Sequence, residues 1–184
     1  MPALRKIEKP QPGEYAAYAS MYVDLTPDDG PILIFLERNA EILANLYRSL
    51  PEERLLYRYA PGKWTMKEIL NHLIDDERIY AYRALRFARN DRAELPGFDQ
   101  DLYARESQAN GREIEDMLEE YADVRRSSIA LFNTFSDAML LRQGTADGHS
   151  VTVRGLIYHL AGHEQRHLNI IRERYLKSLH RDDS

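Results

Sequence analysis

The chain has 184 residues, with 25 Lys and Arg against 30 Asp and Glu, which gives a formal net charge of −5. This acidic balance argues against a protein that coats DNA or RNA, since such proteins carry a basic excess. Hydrophobic residues make up 43% of the chain, which is enough to form a core. Cysteine is absent, so disulfides, a cysteine nucleophile and thiolate metal ligands are all excluded.

No stretch approaches 18 consecutive apolar residues, and the N-terminal residues lack the apolar segment of a signal peptide. We therefore expect a cytoplasmic protein with no membrane contact and no nucleic-acid partner. The length is typical of one domain, so we expect a single domain over 1–184. Residues 1–30 are rich in proline and tyrosine and are expected to form an extended N-terminal arm.

Hydrophobic periodicity predicts four amphipathic helices after this arm, over about 31–50, 65–88, 112–135 and 151–179. Asp28 or Asp29 is a suitable N-cap for the first helix. Thr65 and Glu68 match the capping-box pattern at the start of the second helix. No pair of β-strands is evident from the pattern.

Residues 90–108 separate the second and third helices and are expected to form one long loop, because Pro96 and Gly97 break the chain there. Loops of this length are often functional, although a packed surface loop is the simpler alternative. The resulting prediction is an all-α four-helix bundle with an extended N-terminal arm and a long crossover loop between helices 2 and 3.

Three of the six histidines, His159, His163 and His167, lie four residues apart on the predicted fourth helix. Histidines at i and i+4 are one turn apart, close enough to bind one metal ion at about 2.0–2.1 Å. On a helical wheel of about 100° per residue, His163 and His167 lie at the edge of the apolar stripe. They should therefore point toward the bundle interior, while His159 falls on the polar side at the rim.

His72 lies at the border of the apolar stripe on the second helix, where it can provide a third metal ligand from a facing helix. Asp76 follows one turn later and is a candidate fourth ligand, or a partner that orients a ligating histidine. Three neutral imidazoles favour zinc, nickel, iron or manganese over magnesium or calcium. The alternative for each histidine is an ordinary surface position on a polar helix.

Residues 163–167 also read H-E-x-x-H, the pattern in which zinc proteases use two histidines as ligands and the glutamate as general base. The metzincin extension is absent, since Ile170 and Glu173 stand where it requires glycine and histidine. A zinc peptidase is therefore the least favoured enzyme class. Glu164 faces the core on the wheel, so it is either a catalytic base or needs a buried partner.

The chain contains W-T-M-K-E at 64–68, N-H-L-I-D-D-E-R at 71–78 and H-L-A-G-H-E-Q-R-H at 159–167. The first two segments resemble the second helix of the DinB-like (YfiT-like) superfamily, for which metal-dependent hydrolysis has been proposed, and the third resembles its last helix. The tyrosine-rich arm and residues 83–91 and 95–101 resemble one bacterial branch of this family. The resemblance extends over nearly the whole chain.

This resemblance implies a four-helix bundle in which one histidine of the second helix and an H-x-x-x-H pair of the last helix hold a metal ion. Carried over residue by residue, the metal ligands are His72, His163 and His167. The resemblance also implies a homodimer and a small-molecule substrate. Family members with known chemistry include transferases and isomerases that use an external low-molecular-weight thiol, bacillithiol or mycothiol.

We therefore expect a hydrolase or a thiol-dependent transferase with a divalent metal ion, zinc or nickel ahead of iron or manganese. Asp76 and Glu164 are the candidate catalytic residues, which would orient a ligand or move a proton. One alternative is a non-catalytic, stress-associated dimeric bundle that binds metal, and another is a metal-free scaffold. Leu168 and Asn169 depart from the Gly-Gln pair that often follows the last histidine in this family, so we expect the substrate pocket to differ from that of those members.

Overall fold

The computed structural model describes residues 3–176. Its α-helices in this range are, in chain order, α1 (Ser20–Val23), α2 (Ile32–Arg48), α3 (Glu52–Leu55), α4 (Met66–Ala88), α5 (Gln100–Glu106), α6 (Ile114–Asn133), α7 (Asp137–Leu140) and α8 (Val153–Ile170). Two strands, β1 (Gln143–Ala146) and β2 (His149–Thr152), lie between α7 and α8. Short 3₁₀ turns cover Ala17–Ala19 and Ala109–Gly111, and a π-helical turn, Ile171–Leu176, continues α8.

The four long helices α2, α4, α6 and α8 form a four-helix bundle, which confirms the predicted fold class. α4 packs against α6 and α8, and α2 packs against the same two helices. The first two long helices, α2 and α4, therefore face each other across the diagonal of the bundle. Within residues 3–176, none of the helices is both long and apolar enough to cross a membrane.

The start of α4 follows the sequence prediction closely. Thr65 accepts a hydrogen bond from the Glu68 amide at 3.0 Å, and the Glu68 carboxylate accepts one from the Thr65 amide at 2.8 Å, so the capping box is present. The predicted capping of α2 by Asp28 or Asp29 is wrong, because Pro31 occupies the N-cap position without a side-chain hydrogen bond.

The last helix begins at Val153, two residues later than predicted, and the Thr152 hydroxyl caps it by accepting from the Gly155 amide. The regular α-helix ends at Ile170 and gives way to the π-helical turn. The predicted helix end at residue 179 lies outside the described residues.

The prediction that the chain has no paired strands is wrong, since β1 and β2 form an antiparallel hairpin. Its register pairs Gln143 with Thr152, Gly144 with Val151, Thr145 with Ser150 and Ala146 with His149. Asp147 and Gly148 form the turn with φ values of 53° and 71°. An Asp-Gly pair favours this left-handed conformation in two-residue hairpin turns. The Asp147-Gly148 pair was therefore the one feature of the sequence that could have predicted the hairpin. The two four-residue strands do not alternate between buried and exposed residues, so the period-2 signal of a strand is absent.

The arm and the crossover are less extended than predicted. The arm contains a 3₁₀ turn and α1, which packs against α8. The crossover contains α5, whose N-cap Asp99 accepts hydrogen bonds from the amides of Asp101 and Leu102. Leu95, earlier in the crossover, donates its amide to the Thr145 carbonyl at 3.0 Å and so attaches this segment to the hairpin. Helices of four to seven residues are too short to be detected by periodicity.

Two apolar clusters fill the bundle along α4 and α8. One includes Phe87 near the end of α4 and Leu156 near the start of α8, while the other includes Ile69 and Leu168. The two helices are therefore antiparallel. Between the apolar clusters lies a layer of buried polar side chains: His72, Asp76, Glu77, Arg125, His163 and Glu164.

Candidate metal centre

Three histidine side chains converge in this polar layer, where α4 faces α8. The Nε2 atom of His163 lies 3.2 Å from Nε2 of His72 and 3.2 Å from Nε2 of His167. The ligand atoms of all three lie within 4.8 Å of one another. His72 comes from α4, and α8 presents His163 and His167 one turn apart. These three residues are called the histidine cluster below.

The geometry of the histidine cluster fits a transition-metal ion. Nitrogen ligands at about 2.0–2.1 Å from a tetrahedral metal are separated from one another by about 3.4 Å, close to the two 3.2 Å separations. The Nε2 atom of His163 carries either one proton or one lone pair, so it cannot form a good hydrogen bond with both neighbours at once. A cation between the three nitrogens would satisfy all of them.

Burial keeps the imidazoles of His72 and His167 neutral. Burial, reinforced by the neighbouring His163, lowers the pKa of His72 to about 4. The same two causes lower the pKa of His167 well below its usual value. A neutral imidazole has a lone pair available for a metal ion. His72 and His167 therefore offer nitrogen donors at neutral pH. A set of three imidazoles suits zinc, nickel, iron or manganese.

Asp76 lies directly beside the histidine cluster, with its Oδ2 atom 3.1 Å from Nδ1 of His163. Burial opposes ionisation of this carboxyl group, but the nearby His163, together with His72 and His159, favours the carboxylate and lowers the pKa of Asp76 to about 2. A carboxylate on the far nitrogen of an imidazole fixes the orientation of the ring and leaves Nε2 for a metal. Asp76 is thus placed to orient His163.

Glu164 is not brought to the histidine cluster. Both of its carboxylate oxygens accept hydrogen bonds from Arg125 of α6, and one also accepts from the Tyr121 hydroxyl. Arg125 also binds both oxygens of Glu77 at distances of 2.8–3.0 Å. We call Glu77, Tyr121, Arg125 and Glu164 the buried ion-pair network. It provides the buried partner that the core position of Glu164 requires.

His159 is buried, contrary to its predicted place at the rim of the bundle. The residue is 8% exposed, and its Nε2 atom lies 2.9 Å from the Tyr80 hydroxyl. The ring of Tyr22 in α1 packs against it with centroids 4.7 Å apart. The helical wheel treated the last helix in isolation, whereas α1 covers the side that would otherwise face solvent. Burial lowers the pKa of His159 to about 4.

Aromatic side chains that the sequence analysis did not assign to the site enclose the histidine cluster. The Trp64 ring lies 4.7 Å from His72 and is nearly parallel to His167 at 6.4 Å. Tyr22 contacts His163 edge-on at 5.4 Å. The tyrosine-rich arm was visible in the sequence, but nothing in it indicated which helix the arm would cover.

A cavity of about 380 Å³ lies beside His163, between α1, α4, α8, the hairpin and the crossover. We call it the arm cavity. Its lining combines aromatic rings with polar groups, among them Tyr15, Tyr18, Tyr22, Tyr80, Phe98, Asp76, Arg83, His159 and His163. A second cavity of about 260 Å³ reaches His167 beside Trp64. The histidine cluster therefore adjoins space for a small molecule.

The model of the DinB superfamily matches residues 36–171 of this chain. The chain belongs to the DinB superfamily. The match begins within α2, ends just after α8 and includes all three residues of the histidine cluster.

Two relatives illustrate the similarity of this DinB-superfamily chain to known proteins. It is 23% identical over 135 residues to a protein of Oceanobacillus iheyensis whose name assigns it provisionally to the metal-dependent hydrolases, a match covering 72% of this chain and 77% of that protein. It also resembles the solved structure of YfiT from Bacillus subtilis, with a TM-score of 0.70 at 16% identity, covering 84% of this chain and 95% of YfiT. YfiT is described as a probable metal-dependent hydrolase with an unusual four-helix bundle topology. At this identity the likeness shows the fold.

Proposed function

We propose that this DinB-superfamily protein is a metal-dependent enzyme that acts on a small molecule. His72, His163 and His167 are the metal ligands in this proposal, and the ion is zinc or nickel ahead of iron or manganese. The observation that carries it is the convergence of three Nε2 atoms beside the arm cavity. The names of the two relatives, which assign both provisionally to the metal-dependent hydrolases, support the same class.

A divalent metal bound by three protein ligands would lower the pKa of a water or thiol at its remaining position. Asp76, whose Oδ2 atom lies 3.1 Å from Nδ1 of His163, would orient this ring so that Nε2 faces the cluster. The low pKa of His72 keeps its lone pair free at neutral pH. Trp64 and Tyr22 cover the imidazoles and limit the access of bulk water.

Both a hydrolase and a thiol-dependent transferase fit this site. Because the chain has no cysteine, a reacting thiol such as bacillithiol or mycothiol would have to enter from outside. The arm cavity beside His163 favours an enzyme over a non-catalytic bundle, whose metal site would need no adjoining space. A peptidase is not favoured, since both carboxylate oxygens of Glu164 are engaged by Arg125.

The test is metal content by mass spectrometry on untagged protein, before and after chelation. We expect about one equivalent of a divalent transition metal in the wild type, lost in the His72→Ala, His163→Ala and His167→Ala variants. His149→Ala is the matched control, because His149 is exposed and lies outside the histidine cluster. Full metal content in the His163→Ala variant would refute the site. A wild type that takes up no metal on reconstitution would refute the enzyme proposal.

The homodimer and the cytoplasmic location are proposals that rest on the family resemblance and the sequence. Multi-angle light scattering on the metal-loaded protein tests the first. A mass near twice that of the chain supports a homodimer, and a mass equal to that of one chain contradicts it.

A further inference from the structure

Arg83 of α4 is a buried cation that has no carboxylate partner among residues 3–176. The residue is 5% exposed and lines the arm cavity. It donates one hydrogen bond to the Pro96 carbonyl at 2.8 Å, and its guanidinium lies 5.3 Å from the centre of the Tyr80 ring. Arg125, which is equally buried, is by contrast bound by two glutamates.

A guanidinium stays protonated and carries five N–H donors. Arg83 uses one donor on a protein carbonyl, and the Tyr80 ring compensates the charge only in part. Burying a cation without a counterion is unfavourable, so natural proteins pair such groups. The cavity beside Arg83 is where a counterion can enter.

We propose that Arg83 binds the carboxylate of an aromatic acid in the arm cavity. The planar guanidinium matches a carboxylate in a two-point hydrogen bond. Tyr18, Tyr22 and Phe98 provide aromatic walls for the rest of the molecule, and about 380 Å³ is ample for one small acid. Taking this acid to be the substrate rests on the proposed function, whereas its binding to Arg83 needs no metal.

A monoanion suits this cavity better than a doubly charged phosphate, because Asp76, Asp99 and Asp147 also line it. Asp99 and Asp147 are exposed and screened by water, and Asp76 lies against His163. Asp76 precedes Arg83 by two turns of α4, about 10 Å along the helix axis. An acid held at Arg83 therefore has room to extend toward His163.

The experiment titrates benzoate and its neutral isostere benzamide into the protein by calorimetry or NMR. Metal-loaded and chelated wild type are compared with Arg83→Gln, Arg83→Lys and Arg92→Gln. Arg92→Gln is the matched control, because it removes the same charge from an exposed side chain outside the arm cavity. Inorganic phosphate is titrated in parallel.

We expect wild type to bind benzoate more tightly than benzamide, with or without metal. Arg83→Gln should weaken benzoate binding at least tenfold and leave benzamide binding unchanged, while Arg92→Gln should match the wild type. If Arg83→Gln does not fold, Arg83→Lys carries the test. It keeps the charge but loses the planar fork, and it should weaken benzoate alone by several-fold.

Three results would overturn the proposal: benzoate binding no stronger than benzamide binding, benzoate binding unaffected at Arg83, or benzoate binding that disappears on chelation. Phosphate binding more tightly than benzoate would overturn the assignment to a carboxylate. Metal content is measured separately on each sample. If the protein binds no metal, the benzoate titrations still test Arg83. If Arg83 does not bind benzoate, the metal content still tests the histidine cluster.

Discussion

Arg125 lies in the middle of the bundle between two carboxylates from different helices. Burial alone would lower the pKa of Arg125, but Glu164 and Glu77 raise it well above its usual value. Arg125 also donates to the Leu36 carbonyl in α2. A single side chain on α6 thus joins α2, α4 and α8, so we infer that the buried ion-pair network aligns the helices that carry the histidine cluster.

Removing Arg125 should be severely destabilising, because it leaves two buried carboxylates without a counterion. We expect Arg125→Ala to lower the free energy of unfolding by about 3–5 kcal/mol. Arg126→Ala, next in sequence but on an exposed side chain paired with Asp123, should change it by less than about 0.5 kcal/mol. Urea unfolding of the metal-free proteins measures both. Equal effects at the two positions would contradict the role of the network.

His159 gives a prediction for the pH dependence of stability. Its pKa is about 4 in the folded protein against an ordinary value of 6.5. The unfolded chain therefore binds more protons between pH 6.5 and 4, so this contribution is complete above pH 6.5 and is lost as the pH falls toward 4. At pH 5 the loss amounts to about 2 kcal/mol.

Urea unfolding of metal-free wild type and His159→Gln at pH 7 and pH 5 isolates this contribution. Glutamine can still bond to the Tyr80 hydroxyl but does not titrate. The wild type should lose about 2 kcal/mol more stability than the variant between the two pH values. An identical loss in both proteins would show that His159 is not buried in a neutral form.

At the scale of elements, two glycines of α8 allow the arm to approach the helix backbone. A Cβ atom on Gly162 would lie 2.0 Å from the Tyr22 carbonyl oxygen, and one on Gly155 would lie 2.7 Å from the Glu14 carbonyl oxygen. The two glycines are two helical turns apart, so the arm follows one face of α8. This close approach brings Tyr22 onto His159 and His163 and forms one wall of the arm cavity.

Gly162→Ala should destabilise the protein although alanine is the better helix former. The gain in helix propensity is about 1 kcal/mol. The new Cβ atom would clash with the Tyr22 backbone, and neither this backbone nor that of α8 can move away easily. We therefore expect a net loss of stability of about 1–3 kcal/mol. Gly111→Ala is the control, since nothing lies within 4 Å of a Cβ atom there. Urea unfolding compares the two variants, and a stabilised Gly162→Ala protein would refute the close packing of the arm.

At the scale of the whole molecule, the polar layer separates two apolar clusters and brings the ligand atoms of the histidine cluster within 4.8 Å of one another. A bound metal would link α4 to α8 at the centre of the bundle. A metal ion that binds only the folded protein stabilises it against unfolding, because the unfolded chain does not bring the three nitrogens together.

Chelation should therefore lower the melting temperature. Metal in thousandfold excess over its dissociation constant adds about 4 kcal/mol, which corresponds to a shift on the order of 10 °C for a protein of this size. Scanning calorimetry with and without a chelator measures the shift, and His167→Ala should show none. A wild type whose melting temperature does not respond to chelation would instead support the metal-free scaffold.

The bundle helices and the pairing of His163 with His167 on one face were predictable from the sequence. Both depend on the period of 3.6 residues, which acts within a single helix. The capping box at Thr65 was predictable for the same reason, because it involves residues three apart. Local spacing is enough to decide features of this kind.

Other features depend on segments distant in the chain that meet only in the folded protein. The burial of His159 requires α1 to cover α8, and the partner of Glu164 is Arg125 on another helix. The arm cavity beside Arg83 likewise forms only where the arm, the crossover and the hairpin come together. The periodicity of a sequence predicts which face of a helix is apolar. Which side chains come into contact depends on how the helices and the other segments pack in the folded protein.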